Sequence, residues 1–160
     1  MTMMESVRGK LNARCLRKQC RAGKCSISLK GVSRQFVLIH MDSPDSPPSQ
    51  HETRCDYLYI GYLDDKDGRP WTVPIELKSG GISASAVAKQ LQAGADVADQ
   101  IIPHNASTKF APVVASGRIS KIEQRRLRHK SNKVRFRGRL VIVQRTRCGT
   151  SLTQVLRDAG

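Results

Sequence analysis

Two β-like runs that follow each other along the chain constrain the fold more than any other feature. Residues 56–63 (Asp-Tyr-Leu-Tyr-Ile-Gly-Tyr-Leu) and 71–78 (Trp-Thr-Val-Pro-Ile-Glu-Leu-Lys) are rich in aromatic and β-branched side chains, which favour strands. Between them, residues 64–70 contain aspartates, a glycine and a proline, a composition typical of a turn. The sequence therefore predicts a β-hairpin, in which Pro74 indicates a strand at the sheet edge or a bulge.

Charged residues stand at one end of both runs. Asp56 opens the first run, and Glu76 and Lys78 close the second. Alternate side chains of a strand share a face, so Glu76 and Lys78 point the same way while Leu77 points into the core. In a hairpin, Asp56 and Glu76 come to the same end of the sheet. Two carboxylates and an ammonium group at one place suit metal-assisted hydrolysis of a phosphodiester.

The clearest helix follows the second run, over residues 83–102. Its apolar residues recur at steps of three and four, which places them on one stripe. Ser83 suits the N-cap position and Pro103 ends the helix. The stripe is rich in alanine, which permits close packing on a sheet. Its members are Ala84, Val87, Ala88, Leu91, Ala95, Ala98 and Ile102.

The rest of the chain alternates between strand-like and helix-like patterns. This order predicts one α/β (or α+β) domain over residues 1–160, with a central mixed β-sheet flanked by helices. Three prolines predict an irregular loop over residues 42–49. The other predicted elements are a short helix within residues 1–25, strands at 26–29, 36–41 and 110–115, helices at 119–129 and 151–158, and a basic hairpin or bent strand over 134–143.

Charge is distributed unevenly along the chain, whose formal net charge is +15. Residues 1–34 carry nine lysines and arginines against one acidic residue, residues 35–117 carry six against ten, and residues 118–160 carry thirteen against two. A basic N-terminal arm and a basic C-terminal region thus flank an acidic middle, a layout that suits a metal site served by phosphate-binding segments. Solubility or contact with an acidic protein partner are alternative uses, but the size of the excess favours contact with nucleic acid.

The C-terminal basic region supplies the candidates for nucleic-acid contact. Alternation along a strand would place Arg135, Arg137 and Arg139 on one face, near the phosphate repeat of a DNA strand. Aromatic residues make up only 4% of the chain, so we expect phosphate contact rather than stacking on bases. An oligomer or partner interface is the alternative. The candidates are Arg125, Arg126, Arg128, Lys130, Lys133, Arg135, Arg137 and Arg139.

From residue 36 to residue 116 the chain resembles the PD-(D/E)XK nuclease superfamily, which has the restriction-endonuclease-like fold. In that superfamily an Asp begins one strand, a Glu-x-Lys lies on the next, and a helix crosses over to a further strand. The corresponding residues here are Asp56, Glu76 and Lys78, and the strand–turn–strand–helix–strand context is more specific than the tripeptide alone. The resemblance implies a metal-dependent nuclease that hydrolyses DNA, alone or within a larger defence or repair complex.

The resemblance also implies a role for each site residue. Asp56 and Glu76 would bind Mg²⁺, or Mn²⁺ in its place, because hard cations prefer carboxylate oxygens and water. The carbonyl of Leu77 would complete the coordination, and Lys78 would position the attacking water or stabilise the developing charge. Many members carry a glutamate upstream of the first strand. Glu52 is a candidate for that residue, either as a metal ligand or as an acid that contacts the ligands.

Some members of the superfamily add a Gln-x-x-x-Tyr pattern on the following helix, of which only half is present. Gln90 supplies the glutamine, while Gly94 stands at the tyrosine position. Gln90 and Gln92 flank opposite sides of the apolar stripe, so only one can face the site, and Gln90 is the catalytic candidate. Two surface glutamines on an amphipathic helix are the alternative.

Cysteine usage and hydropathy predict the cellular context. Five cysteines in a chain with no apolar signal region predict a cytoplasmic protein with reduced thiols rather than a disulfide framework. Cys15, Cys20 and Cys25 have no evident second pair of cysteines or histidines, which disfavours a zinc site. The sequence contains no apolar run of about 18 residues, so no membrane span is predicted. A homodimer or a larger complex is left open. The alternative function is a non-catalytic nucleic-acid-binding or assembly subunit that keeps the nuclease fold.

Overall fold

A six-stranded sheet forms the middle layer of the computed structural model, which describes residues 1–49, 51–64 and 68–159. Its strand order is β10-β7-β5-β4-β3, with β6 also paired to β5. The strands are β1 (Cys20–Ala22), β2 (Cys25–Ile27), β3 (Phe36–His40), β4 (Tyr57–Gly61), β5 (Trp71–Lys78), β6 (Lys109–Phe110), β7 (Val113–Ser116), β8 (Val134–Phe136), β9 (Arg139–Val141) and β10 (Gln144–Arg147). The helices are α1 (Met3–Gly9), α2 (Ala84–Ile101), α3 (Lys121–Leu127) and α4 (Leu152–Ala159).

The predicted fold class is confirmed, because the sheet is mixed and helices flank it. β3, β4 and β5 pair antiparallel, whereas β5, β7 and β10 pair parallel. The predicted hairpin is β4–β5, with Tyr57 opposite Ile75; residues 65–67 of its turn lie outside the described residues. No helix within the described ranges is long and apolar enough to cross a membrane.

Side chains that alternate along the central strands pack into two different layers. On one side, called the α2 face, Leu58, Ile60 and Val114 pack with the apolar stripe of α2. On the other side, called the α4 face, Tyr59 and Leu77 pack with the β1–β2 hairpin and α4. Leu77 is therefore in the core, as alternation predicts. Its neighbours Glu76 and Lys78 consequently belong to the α2 face.

The edge position or bulge predicted from Pro74 is wrong, because β5 lies in the middle of the sheet. The carbonyl of Thr72 accepts a hydrogen bond from the Ala111 N–H, at 3.2 Å. By alternation the backbone of Pro74 also points to that side, where the neighbouring strand is interrupted between β6 and β7. The break in the partner strand, at Ala111 and Pro112, removes the need for an N–H at Pro74.

Helix α2 approaches the sheet most closely at Gly94. A Cβ atom at this position would lie 2.5 Å from Cys55 Sγ and 2.8 Å from the Cβ of Pro74. No larger side chain fits without displacing the helix. This close packing is the physical reason why a glycine, rather than a tyrosine, stands four residues after Gln90.

One disulfide, between Cys25 and Cys148, joins β2 to the segment after β10. The prediction of reduced thiols is therefore wrong for these two residues. Their 123-residue separation hides the pairing from any spacing rule, and only the fold shows that the chain after β10 runs beside β2, where the Gly149 N–H donates to the Ser26 carbonyl at 2.7 Å. Cys15, Cys20 and Cys55 are free and buried.

Candidate functional site

Asp56 and Glu76 form the carboxylate pair of the site, because the β4–β5 register brings them side by side. The backbone N–H of Asp56 donates to Glu76 Oε1 at 3.0 Å, and the backbone N–H of Leu77 donates to Asp56 Oδ2 at 2.8 Å. Each carboxylate is thus fixed by the backbone of the other's strand. The hairpin therefore orients both acids before any ligand binds.

Lys78 completes the group, as the two-residue strand period predicts. Its Nζ lies 2.9 Å from Glu76 Oε2; the Glu76 side chain is 2% exposed and that of Lys78 38%. Burial, opposed by the hydrogen bond from Lys78 and reinforced by the charge of Asp56, raises the pKa of Glu76 to about 7. The hydrogen bond to Glu76 raises the pKa of Lys78. Lys78 is therefore charged at neutral pH, whereas Glu76 changes its protonation state near pH 7.

Gln90 lies on the side of α2 that faces the sheet. Its Oε1 is buried and has no hydrogen-bond partner among the described residues. Gly94, four residues later, lies against Pro74, and four helical residues span about 6 Å, as do two strand residues. Since α2 follows the end of β5 and passes Pro74 at Gly94, we infer from this spacing that Gln90 lies at the level of Glu76.

Gln92 is used elsewhere, which separates the two glutamines that the sequence left as alternatives. Its Nε2 donates to the Arg135 carbonyl at 2.9 Å, and its Oε1 accepts from the Arg135 N–H at 2.8 Å. Gln92 therefore holds β8 against α2. Of the two, Gln90 therefore remains the candidate for the site.

The donor set of the site fits Mg²⁺. Two carboxylates, the Leu77 carbonyl and the unpartnered Gln90 oxygen are hard oxygen donors, and Mg²⁺ is bound in proteins by one or two carboxylates with water in the other positions. Glu52 is exposed, and within the described residues no third acidic, imidazole or thiol side chain joins Asp56 and Glu76 in a metal-binding group. The role of Glu52 as a metal ligand stays a prediction.

Three of the predicted DNA-binding arginines lie on α3 or directly after it. Arg125, Arg126 and Arg128 are exposed. Glu123 Oε2 accepts from the Ala84 N–H at 2.8 Å, which fastens α3 to the start of α2 near the end of β5. Glu123 thus provides the cap that the sequence assigned to Ser83, whose side chain makes no capping bond. Beyond the helix, Lys130 is exposed and Lys133 half-buried.

The predicted row of three arginines is wrong. Arg137 (φ 49°) and Gly138 (φ 80°) form the two-residue turn between β8 and β9, and the pairing puts Arg139 beside Phe136 but Arg135 beside Leu140. Because β8 ends at Phe136, the alternation that would place Arg135, Arg137 and Arg139 on one face stops before Arg137. Arg135 and Arg139 are exposed on different sides of the hairpin.

Arg137 instead anchors the end of α2. It donates to Asp99 Oδ1 at 2.9 Å and to the carbonyls of Ile102 at 2.7 Å and of Pro103 and Ala106 at 3.1 Å. These carbonyls follow the last turn of the helix, where a cation is favoured. Arg137 is therefore a structural residue of the α2 C-terminus.

We expect Arg137→Ala to lower the free energy of unfolding by about 2–3 kcal/mol, because several charge-assisted hydrogen bonds are lost together. Urea denaturation measures the change. Arg139→Ala, on the same hairpin but exposed, is the control and should shift stability by less than about 0.5 kcal/mol. Equal stability of the two variants would contradict the anchoring role.

Two arginines that no sequence pattern indicated share the face of the carboxylates. Arg145 of β10 is paired with Val114, which is paired with Glu76. Arg147 is paired with Ser116, which is paired with Lys78. The alternating Arg-Thr-Arg of residues 145–147 is a strand signal, but β10 contains no apolar residue to reveal it.

Comparison with known proteins adds no relative: neither a family model, nor a curated protein, nor a solved structure matches this chain.

Proposed function

We propose that this protein is a Mg²⁺-dependent nuclease that hydrolyses phosphodiester bonds of DNA. The observation that carries the proposal is the adjoining pair of Asp56 and Glu76, each held by the other's backbone, with Lys78 Nζ 2.9 Å from Glu76. An ion pair for stability alone has no need to bury a carboxylate beside a second one, since like charges raise the cost of ionisation. A divalent cation offsets that cost.

The side chains divide the work between binding and charge stabilisation. Asp56 and Glu76 would hold the metal, with the Leu77 carbonyl beside them. Bound Mg²⁺ supplies Lewis acidity toward the phosphate and acidifies a coordinated water. Lys78, which is partly exposed, can donate to that water or to a phosphate oxygen as negative charge develops. The buried Gln90 oxygen can accept a hydrogen bond from the same water and orient it.

A non-catalytic DNA-binding or assembly subunit is the second candidate. One observation favours it: both oxygens of Glu76 already accept hydrogen bonds within the protein, from the Asp56 N–H and from Lys78. Such a protein would bind DNA with strong salt dependence and without need of a divalent cation.

Cleavage of supercoiled and linear DNA decides between the two. We expect cleavage with Mg²⁺ or Mn²⁺ and none with EDTA, and a loss of about 10³-fold in Asp56→Asn. Asp158→Asn, on the exposed end of α4, is the matched control and should retain activity. Metal-independent binding with no cleavage under either cation would favour the second candidate, and full activity in Asp56→Asn would refute the assigned site.

A further inference from the structure

The α2 face carries two cations, Arg145 and Arg147, on the edge strand β10. Arg145 and Arg147 form no salt bridge with a carboxylate in the part of the chain that the structure describes. They are two residues apart on β10 and so share a face of the sheet. Partial burial, and to a lesser extent the charge of Arg147, lowers the pKa of Arg145. Two like charges this close are unfavourable for the fold by themselves. An anion bound between them would offset the repulsion.

Arg145 is held in a fixed direction. Its Nε donates to Ser116 Oγ at 3.0 Å, and one terminal nitrogen donates to the Ser116 carbonyl at 3.1 Å. Ser116 is fully buried, and its strand neighbour is Lys78. The guanidinium is therefore turned toward the row of Lys78. Its other terminal nitrogen donates no hydrogen bond to the described residues, so it can donate to a ligand.

We propose that Arg145 and Arg147 form a phosphate-binding site for the DNA backbone beside the phosphate that is cleaved. Adjacent strands are about 4.8 Å apart, so the Cα of Arg145 lies roughly 10 Å from that of Glu76 and the Cα of Arg147 equally far from that of Lys78. The cleavage part of this inference rests on the proposed nuclease function; the phosphate contact does not. A guanidinium matches phosphate geometry and remains charged at any physiological pH.

The surrounding surface continues the same charge. Arg128, just after α3, and Arg145 line one shallow cavity of about 340 Å³. DNA that follows this surface would pass from α3 over β10 to Lys78. The carboxylates then meet only the phosphate that reaches the end of β5.

DNA binding over a series of salt concentrations tests the site. The probe is a short fluorescein-labelled duplex with Ca²⁺ in place of Mg²⁺, and the readout is anisotropy. We expect Arg147→Gln to weaken binding about fivefold near physiological salt and to reduce the slope of log K against log[salt] by about 1. Arg157→Gln on α4, the same charge change on the other side of the sheet, should alter neither quantity appreciably. Arg147→Lys should restore most of the slope, and circular dichroism checks that each variant is folded.

The outcomes distinguish the phosphate site from the nuclease function. Equal effects of Arg147→Gln and Arg157→Gln would show that net charge alone matters and would overturn the phosphate site, even in a protein that cleaves DNA. A selective effect of Arg147→Gln in a protein that never cleaves DNA would support the phosphate site and refute the nuclease. Failure of the wild-type protein to bind DNA would overturn both.

Discussion

Glu76→Gln is expected to reduce Mg²⁺-dependent DNA cleavage by about 10³-fold and, in EDTA at pH 8, to raise the free energy of unfolding by about 1–3 kcal/mol. Activity and stability should thus change in opposite directions. The reason is the burial of Glu76, which is 2% exposed and has a pKa raised to about 7. An amide keeps the shape of the side chain and removes the buried charge. It accepts through one atom where the carboxylate accepts through two, which makes the gain smaller than the pKa shift alone implies.

The pH dependence identifies the cause of this stabilisation. The folded-state pKa of Glu76 lies above its unfolded value of 4.5, so the folded state binds the proton more tightly. Its contribution to stability is fully present below the unfolded pKa and is lost as the pH rises through about 7. Wild type and Glu76→Gln should therefore be equally stable below about pH 4.5, diverge as the pH rises to about 7, and differ by a constant amount at higher pH.

Thermal unfolding at a series of pH values, with EDTA and with Mg²⁺, measures these differences. Mg²⁺ should stabilise the wild type at pH 8 and leave Glu76→Gln nearly unchanged, because only the wild type binds the cation through this carboxylate. Asp158→Asn removes an exposed carboxylate and should follow the wild type throughout. If Glu76→Gln were no more stable than the wild type at pH 8, the buried charge of Glu76 would not destabilise the folded state.

The second large effect concerns the disulfide. We expect Cys148→Ser to lower the free energy of unfolding by about 2–4 kcal/mol. The bond between Cys25 and Cys148 closes a long loop and so restricts the conformations that the unfolded chain can adopt. Reduction of the wild type with dithiothreitol should lower its melting temperature to that of the variant. The variant itself should not respond to dithiothreitol. A wild type that is insensitive to reduction would contradict a stabilising role for the bond.

Local patterns predicted the centre of the molecule well. The hairpin, the shared face of Glu76 and Lys78, and α2 depend on strand and helix periods within short segments, and the structure confirms all three. The residues nearest the carboxylates could therefore be named from sequence. Their function remains a proposal, because a period specifies which side chains meet and not what they bind.

Features that depend on distant pairing could not be predicted in this way. Arg137 binds carbonyls more than thirty residues away, and Glu123 caps a helix that begins 39 residues earlier. β10 is polar throughout and becomes a strand because it pairs with β7. In each case the decisive partner is set by the assembled sheet rather than by the neighbours in sequence.

The origin of the charges on the α2 face has an evolutionary consequence. Asp56 directly precedes β4 and Glu76 lies on β5, whereas the two arginines lie on β10, almost seventy residues after Glu76. If both proposals hold, mutation in the last segment can change how tightly DNA is bound without altering the residues proposed to hydrolyse it. Selection could tune affinity and turnover as separate traits, and descendants of this chain should differ more at positions 145 and 147 than at 56, 76 and 78.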